Sequence, residues 1–591
     1  MTAANVNSWV QQLGLEGRRA PEFIRDREEI GSSDRLLPQA NTMRRAWDEM
    51  NLDGMLCLDG IPTVYFKEFS RANQPTIREL QRQLWNQSIA PLLVLVFPSN
   101  IHVYSGLALP AEEEEDVSSG NRLVALFDRV ADVLELRQFM REVELGEVFR
   151  RYAPSFDPGL RVDQHLLGNL NAARELLLAA TPSKPDVKII HALLGRVVFA
   201  CYLTDRKIIQ SSYFTEAGSH GCSNLRGILQ THSPSVARKL LYNLFHKLQA
   251  DFNGDIFDDD LVTESRLIND RHIEILGRFL NGDNLATGQM SLGFWAYDFS
   301  IIPIETISSI YEQFLGAEDE EDKQESGAYY TPRFLAELVL DLLIDVEQPL
   351  LSKRFLDPAC GSGIFLVGIF NRLAEEWNRK VGKATNIKRA EALTDIIRRS
   401  LFGIDRNETA CRIAAFSLYL ALLDHLSPRD IQKLQAKGKF LPKLVAYRRD
   451  PNAVDVACNI ICGDFFEEQL PLLSNHTDLP QDGFDYIVGN PPWVRVTDKK
   501  SFVSRWCQSR NLEIPQGQSA CAFVLKAPEH LRKEGRICFV LPASILLNHQ
   551  DKSLRFQQRW LSKFRVERVV NLSDMSYFLF ASADRPATIV K

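Results

Sequence analysis

Between residues 327 and 591, short apolar runs recur between longer stretches in which apolar residues return every three or four positions. The first pattern predicts strands and the second amphipathic helices. Seven runs read as strands: 354–358, 401–405, 459–463, 484–489, 536–541, 566–571 and 587–590. Alternation of strand and helix on this scale predicts a doubly wound α/β domain.

Upstream the pattern changes. Residues 156–300 are mostly helical with polar joints, and Glu318-Asp-Glu-Glu-Asp322 reads as a solvated linker. In the first 155 residues, Met55–Leu58 and Thr63–Phe66 look like strands. Leu92–Phe97 and Ile101–Tyr104 form a hairpin across Pro98-Ser-Asn. Residues 120–150 have helical periodicity, and Ala111-Glu-Glu-Glu-Glu-Asp116 is an acidic loop. The expected division is an N-terminal α/β domain over 1–155, a helical connector over 156–317, and a catalytic domain over 318–591. A three-layer or degenerate nuclease-like fold fits the first of these.

Two segments carry candidate chemistry. The strand at 484–489 runs directly into Asn490-Pro491-Pro492-Trp493. Two prolines fix φ and remove two backbone donors, so the carbonyls of Asn490 and Pro491 stay free to accept. The Asn490 side chain adds an acceptor, and Trp493 adds a flat ring. Such a site suits a planar substrate with an exocyclic amino group, such as an adenine swung out of a duplex. The same four residues would also make a proline-stiffened turn, with Trp493 as a core aromatic. Upstream, Asp357-Pro-Ala359-Cys360-Gly361-Ser-Gly363 joins a strand to an apolar helix. Its glycines permit close approach of backbone N–H groups to a ligand, and a helix N-terminus favours anionic groups. The third glycine of a dinucleotide fingerprint is absent, and the next strand-end acid, Asp405, lies 48 residues beyond Asp357.

Taken together, these segments resemble N6-adenine DNA methyltransferases that use S-adenosylmethionine, in the gamma-type motif order. Gly327-Ala-Tyr329-Tyr330-Thr331-Pro332-Arg333 resembles the cofactor segment ahead of the glycine loop. Asp357, Ala359, Cys360, Gly361 and Gly363 resemble the methionine-binding loop, with Cys360 as a small packing residue. The resemblance implies that Asp405, with Arg406 beside it, grips the ribose. It implies that Asp464 and Phe465 hold the cofactor's adenine, and that Asn490–Trp493 is the catalytic tetrapeptide, Asn490 also bordering the cofactor. The implied fold is a class I methyltransferase with seven strands. Segments at Leu193–Arg206, Phe252–Phe257, Ile302–Glu305 and Tyr311–Leu315 resemble the helical spacer of type IIG restriction–modification and BREX-type phage-exclusion methyltransferases. Asp405 and Asp464 would otherwise be solvent-facing acids; their recurrence at strand ends on one sheet edge favours binding.

Composition modifies this picture in one respect. The net charge of −7 argues against a DNA partner, but residues 491–591 hold 17 Lys or Arg against 8 Asp or Glu, a local net of +9. Arg495, Lys499, Lys500, Arg505 and Arg510 form one cluster. Lys552, Arg555, Arg559, Lys563, Arg565 and Arg568 form another. Each is a candidate double-stranded-DNA contact or a solvated helix face. The ten cysteines are scattered without a Cys-x-x-Cys pair, which suggests reduced cytosolic thiols, and no apolar run of membrane-spanning length is expected.

The implied reaction is methyl transfer without a covalent intermediate. Cytosine-C5 chemistry would need a Pro-Cys nucleophile, and no Pro-Cys dipeptide occurs. Protein-glutamine methylation, which presents the same N–H pair, is the enzymatic rival. A non-catalytic DNA- or cofactor-binding subunit of a defence complex is the other. A PD-(D/E)xK nuclease would use Asp59 and Lys67, but Tyr65 occupies the carboxylate position. No metal site is expected. The last strand ends at Lys591, so the sequence places target recognition in a partner polypeptide or a C-terminal continuation. DNA binding by the chain alone is then expected to be weak and directed at phosphates.

Overall fold

The computed structural model describes residues 8–180, 186–252, 260–285, 287–288, 297–315, 331–344, 349–381, 386–427, 430–431, 433, 444–447, 458–467, 483–575, 579 and 586–591. The chain forms two compact units, Met1–Leu244 with Asp260–Ile310, and Phe245–Asp259 with Tyr311–Lys591.

The first unit opens on a six-stranded sheet of β1 (Phe23–Ile24), β2 (Gly54–Leu58), β3 (Ile61–Glu68), β4 (Leu92–Val96), β5 (Asn100–Ser105) and β6 (Leu123–Asp128), in that spatial order. Only β3 and β4 run parallel, joined across the helix Gln74–Gln87. Strand β6 corrects the helical reading of 120–150. Asn121 and Gly120 turn the chain with positive φ, and Leu123–Asp128 then pairs antiparallel with β5 before helix Val133–Glu144 begins. At this edge only Val124 is buried, and the run is too short to separate period two from period 3.6.

Tyr65 of β3 is fully buried and donates its hydroxyl hydrogen to Gln87 Oε1 at 3.2 Å. The position that would supply a metal-binding carboxylate is thus part of the apolar core. Lys67 is held by Asp53 at 3.2 Å. Among the described residues no group of three or more His, Cys, Asp or Glu could hold a metal ion.

The rest of this unit is helical. Helix Val187–Asp205 is long and apolar enough to cross a membrane, contrary to the expectation that no such run exists. It is instead a core helix, with 72% of its apolar window buried, because its neighbours supply the partners. Arg196, fully buried on it, pairs with Glu264, which also accepts from Tyr242 at 2.8 Å. At its end, Asp205 accepts from Phe299 N–H at 3.1 Å, and Arg206 donates to the carbonyls of Phe299 and Ile302 at 2.8 and 3.0 Å. These bonds strap the segment 299–302 onto the helix.

The second unit contains an eight-stranded sheet. Its strands are β7 (Phe355–Asp357), β8 (Leu401–Asp405), β9 (Val445–Tyr447), β10 (Ile460–Cys462), β11 (Phe484–Gly489), β12 (Leu531–Pro542), β13 (Val569–Asn571) and β14 (Ala587–Val590). The spatial order is β13-β14-β12-β11-β7-β8-β10-β9, parallel except for β14, which is antiparallel to both neighbours. All seven expected strands are present, and short β9 is added at the outer edge. The class I methyltransferase fold is recognisable in this order: the chain starts in the middle at β7, passes through β8 to the outer edge at β9, steps back to β10, returns to β11 and β12, and closes with the antiparallel pair β13 and β14. The acidic run 318–322, Tyr329 and Tyr330 lie outside the described residues.

Burial and the nearby Asp298 raise the Asp205 carboxyl from its ordinary range to about 7. The folded state therefore binds the proton more tightly than the unfolded state does. Stability from this group is full below about pH 4 and falls as pH rises toward 7. Asp205→Asn keeps an acceptor for Phe299 N–H, so its melting temperature relative to wild type should rise between pH 5 and pH 8. An equal difference at both pH values would contradict this.

Candidate active site

The carboxyl ends of β7, β8, β10 and β11 converge along one edge of the sheet, where open α/β folds bind ligands. After β7, the loop turns at Gly361 and Gly363, with φ of +52° and +82°. A Cβ on Gly363 would also meet the Ala414 backbone at 3.1 Å, so both conformation and space demand glycine there. Cys360 is buried behind the loop, its N–H bonded to Ile404 O at 2.9 Å. It packs against Gly403, where a Cβ would lie 2.9 Å from its sulfur, as a packing residue should.

Asp405 ends β8. Its Oδ2 accepts from Gly361 N–H at 3.0 Å and its Oδ1 from Asn407 N–H at 2.8 Å. It thereby ties the glycine loop to the second strand. Burial raises its carboxyl pKa, and these N–H bonds pull it back. Asp357 is fully buried; burial first, and the Asp405 charge besides, push its carboxyl well above the ordinary range, against one bond from Ala359 N–H at 3.1 Å. Its Oδ2 has no hydrogen-bond partner among the described residues. An orphaned buried oxygen costs on the order of 1–3 kcal/mol and calls for a donor.

Asp464, after β10, accepts from Phe466 N–H at 2.9 Å, and the exposed Arg406 approaches it at 3.8 Å. Phe465 follows Asp464 in the chain. It is buried, stacked on Phe523 at 5.4 Å, with the Lys526 ammonium 5.1 Å from its centroid.

At the end of β11, Asn490 donates through Nδ2 to Thr331 Oγ at 3.1 Å. Thr331 is buried just before Pro332, which begins the helix Arg333–Leu343. This bond brings Thr331 to the start of the tetrapeptide. Asn490 Oδ1 is buried and has no partner among the described residues. Pro491 is buried and Pro492 half-buried. Trp493 is 2% exposed and lines, with Arg495, Gln516, Gln518 and Asn548, a cavity of about 1120 Å³. The ring therefore offers little area to that cavity in this conformation, and stacking on it would require the wall to part.

Of the basic clusters, Arg495, Lys499, Lys500 and Arg505 are exposed beside the tetrapeptide, Arg505 lying over Phe502 at 4.5 Å. Arg510 pairs with Glu529 at 3.1 Å. The second cluster is less positive than it reads, because Lys552 and Arg555 pair with Glu513 at 2.7 and 3.3 Å. Arg559 donates to Asn511 O at 3.3 Å.

Two substitutions test this arrangement. Asp405→Ala should weaken S-adenosylmethionine binding by roughly 1.5–3 kcal/mol in calorimetry, the range for hydrogen bonds to a charged group. Gly489→Ala would place a Cβ 2.7 Å from Asp357 Oδ1. It should lower the unfolding free energy by about 1–3 kcal/mol and reduce cofactor affinity with it.

Two families match this part of the chain: N-6 DNA Methylase over residues 303–432, and Eco57I restriction-modification methylase over residues 399–578. The chain is 23% identical over 303 residues to the type II restriction enzyme and methyltransferase RM.Eco57I of Escherichia coli, covering 45% of this chain and 30% of that enzyme. It is 28% identical over 188 residues to the adenine-specific methyltransferase PglX of Streptomyces coelicolor, covering 29% of this chain and 15% of that protein. The chain thus spans less than a third of the length of these relatives. Among solved structures, the type IIL restriction-modification enzyme MmeI in complex with DNA matches with a TM-score of 0.43 and 16% identity, over 72% of this chain and 56% of that one. Between them the two family matches run from residue 303 to residue 578, the N-6 DNA Methylase match ahead of the Eco57I restriction-modification methylase match.

Proposed function

We propose that this chain transfers a methyl group from S-adenosylmethionine to N6 of an adenine turned out of double-stranded DNA, within a restriction–modification or phage-defence system. The observation that carries the reading is the fixed amide of Asn490. With Nδ2 engaged by Thr331, the buried Oδ1 is left as an acceptor at the start of the tetrapeptide.

The residues present fit the cofactor. Asp405 stands at a strand end to accept from ribose hydroxyls, the glycine turn leaves room for a close approach, and the orphaned Asp357 Oδ2 awaits a donor. S-adenosylmethionine, when bound, supplies a methyl group already activated on a sulfonium centre. The protein's own contribution is geometry. Asn490 Oδ1 and the Pro491 carbonyl would accept the two amino hydrogens of adenine and hold them away from the ring plane. The nitrogen lone pair, otherwise conjugated, is then aimed. The exposed cations 495–505 would contact phosphates on either side of the extruded base. Residues 1–155, 156–317 and 318–591 are proposed as N-terminal domain, connector and catalytic domain.

The test uses purified chain, labelled methyl donor and adenine-containing duplex, with nucleosides identified by mass spectrometry. N6-methyladenine is the expected product. Asn490→Ala should abolish its formation while leaving cofactor affinity nearly unchanged. Normal turnover by that variant, or label recovered on protein glutamine, would refute the proposal.

A further inference from the structure

The segment after the tetrapeptide is braced by a second, distant piece of chain. Residues 494–496 run antiparallel to 517–519, with Ser519 N–H donating to Val494 O at 2.9 Å and Val496 N–H to Gly517 O at 2.8 Å. Gly517 turns with φ of +70°, which brings this short ladder alongside the tetrapeptide. Ser519 is 3% exposed and opens the helix Ser519–Lys526. Its hydroxyl donates to the Pro492 carbonyl and accepts from Val494 N–H at 3.3 Å. The hydroxyl hydrogen is therefore committed to one oxygen.

We propose that Ser519 is a positioning residue for methyl transfer: by fixing the Pro492 carbonyl and Val494 N–H, it sets the peptide plane that aims the Pro491 carbonyl at the acceptor nitrogen. The argument is one of hydrogen-bond supply. Two successive carbonyls, those of Pro491 and Pro492, follow Asn490, and neither proline nitrogen can donate. The Pro492 oxygen takes the Ser519 donor. With φ locked at both prolines, the remaining freedom lies in the two ψ angles, and anchoring the atoms that follow Pro491 removes it. A carbonyl that must meet one N–H of a substrate does so best when it is already aligned, because small displacements in a reacting geometry are costly. The contacts of Ser519 are to the backbone of Pro492 and Val494. It acts through Pro492, and the side chains at the cofactor loop lie elsewhere on the sheet edge.

This inference rests on the methyl-transfer reading for its kinetic consequence, but not on the identity of the acceptor, since any amino or amide nitrogen would need the same carbonyl. The experiment compares wild type, Ser519→Ala and Ser519→Thr in the full chain. Ser519→Ala should lower kcat by about 10- to 100-fold, the scale of a misplaced reacting group, with cofactor affinity nearly unchanged and a modestly lower melting temperature from the lost hydroxyl bonds. Ser519→Thr, which restores the hydroxyl, should recover most of the loss. A turnover-independent measurement accompanies these: hydrogen exchange at residues 493–496 should quicken in Ser519→Ala and return toward wild type in Ser519→Thr. Unchanged kcat, or a cofactor affinity that falls in proportion to kcat, overturns the positioning role. Unchanged exchange overturns the brace itself, even where no acceptor substrate has been found. Wild-type protein that transfers no methyl group to DNA or peptide counts against the proposed function and leaves the exchange result to decide on the brace. Should Ser519→Ala not fold, Ser519→Cys, which keeps the size with a weak donor, is judged by the same criteria.

Discussion

Two strands that lie side by side at the centre of the second sheet, β7 and β11, meet where there is room for one side chain and not two. Asp357 takes the space, and Gly489 concedes it: a Cβ at 489 would stand 2.7 Å from Asp357 Oδ1. Everything at the sheet edge depends on that concession. The Asp357 carboxyl can be buried at the head of the glycine loop only because position 489 is bare. Asn490, next along the chain, leaves the sheet from the same point. The loop that would hold a methyl donor and the tetrapeptide that would hold its acceptor are thus registered through a missing side chain. The cost is a carboxyl group removed from water, whose pKa burial pushes upward.

The strands at 401–405 and 484–489 fall at their expected limits, because parallel strands covered on both faces read as nearly unbroken apolar runs; antiparallel 587–590 does so too because all four of its residues are buried. Other features were legible only in part. Strand β12 begins at Leu531, five residues before its apolar portion, since Arg532, Lys533 and Glu534 extend it where one face is open. Short β9 carries no apolar run long enough to announce itself, and β6 is an edge strand with a single buried side chain. The glycine turn, Asp405 and Asn490 could be found from sequence because each occupies a position that backbone geometry restricts. The pairing of Lys552 and Arg555 with Glu513 could not, because about forty residues separate the partners and charge clusters are read locally. Serine at 519 gives no signal either: its role depends on where Gly517 turns the chain.

The first unit shows how far local charge reading can mislead in the opposite direction. Arg196 and Glu264, inconspicuous in the sequence, are a buried pair within the helical region, satisfied further by Tyr242. Such a pair contributes little net stability against apolar substitutes but penalises any arrangement that separates its members. It fixes how helices Val187–Asp205 and Leu261–Leu267 face one another.

Strand β14 lies between β12 and β13 and pairs with both, while β13 has no other strand neighbour among the described residues. On a ribosome this arrangement has a temporal meaning. Until residues 587–590 have emerged, β12 presents an unpaired apolar border at Phe539–Leu541, and β13 has nowhere to attach. The sheet can grow from its centre outward as translation proceeds, but its far flank closes only when the latest-made of its strands slides in as a keystone. During that interval an open edge is a template for pairing with other chains. The period of greatest vulnerability to misassembly is therefore set by the pace of elongation rather than by the equilibrium stability of the finished domain.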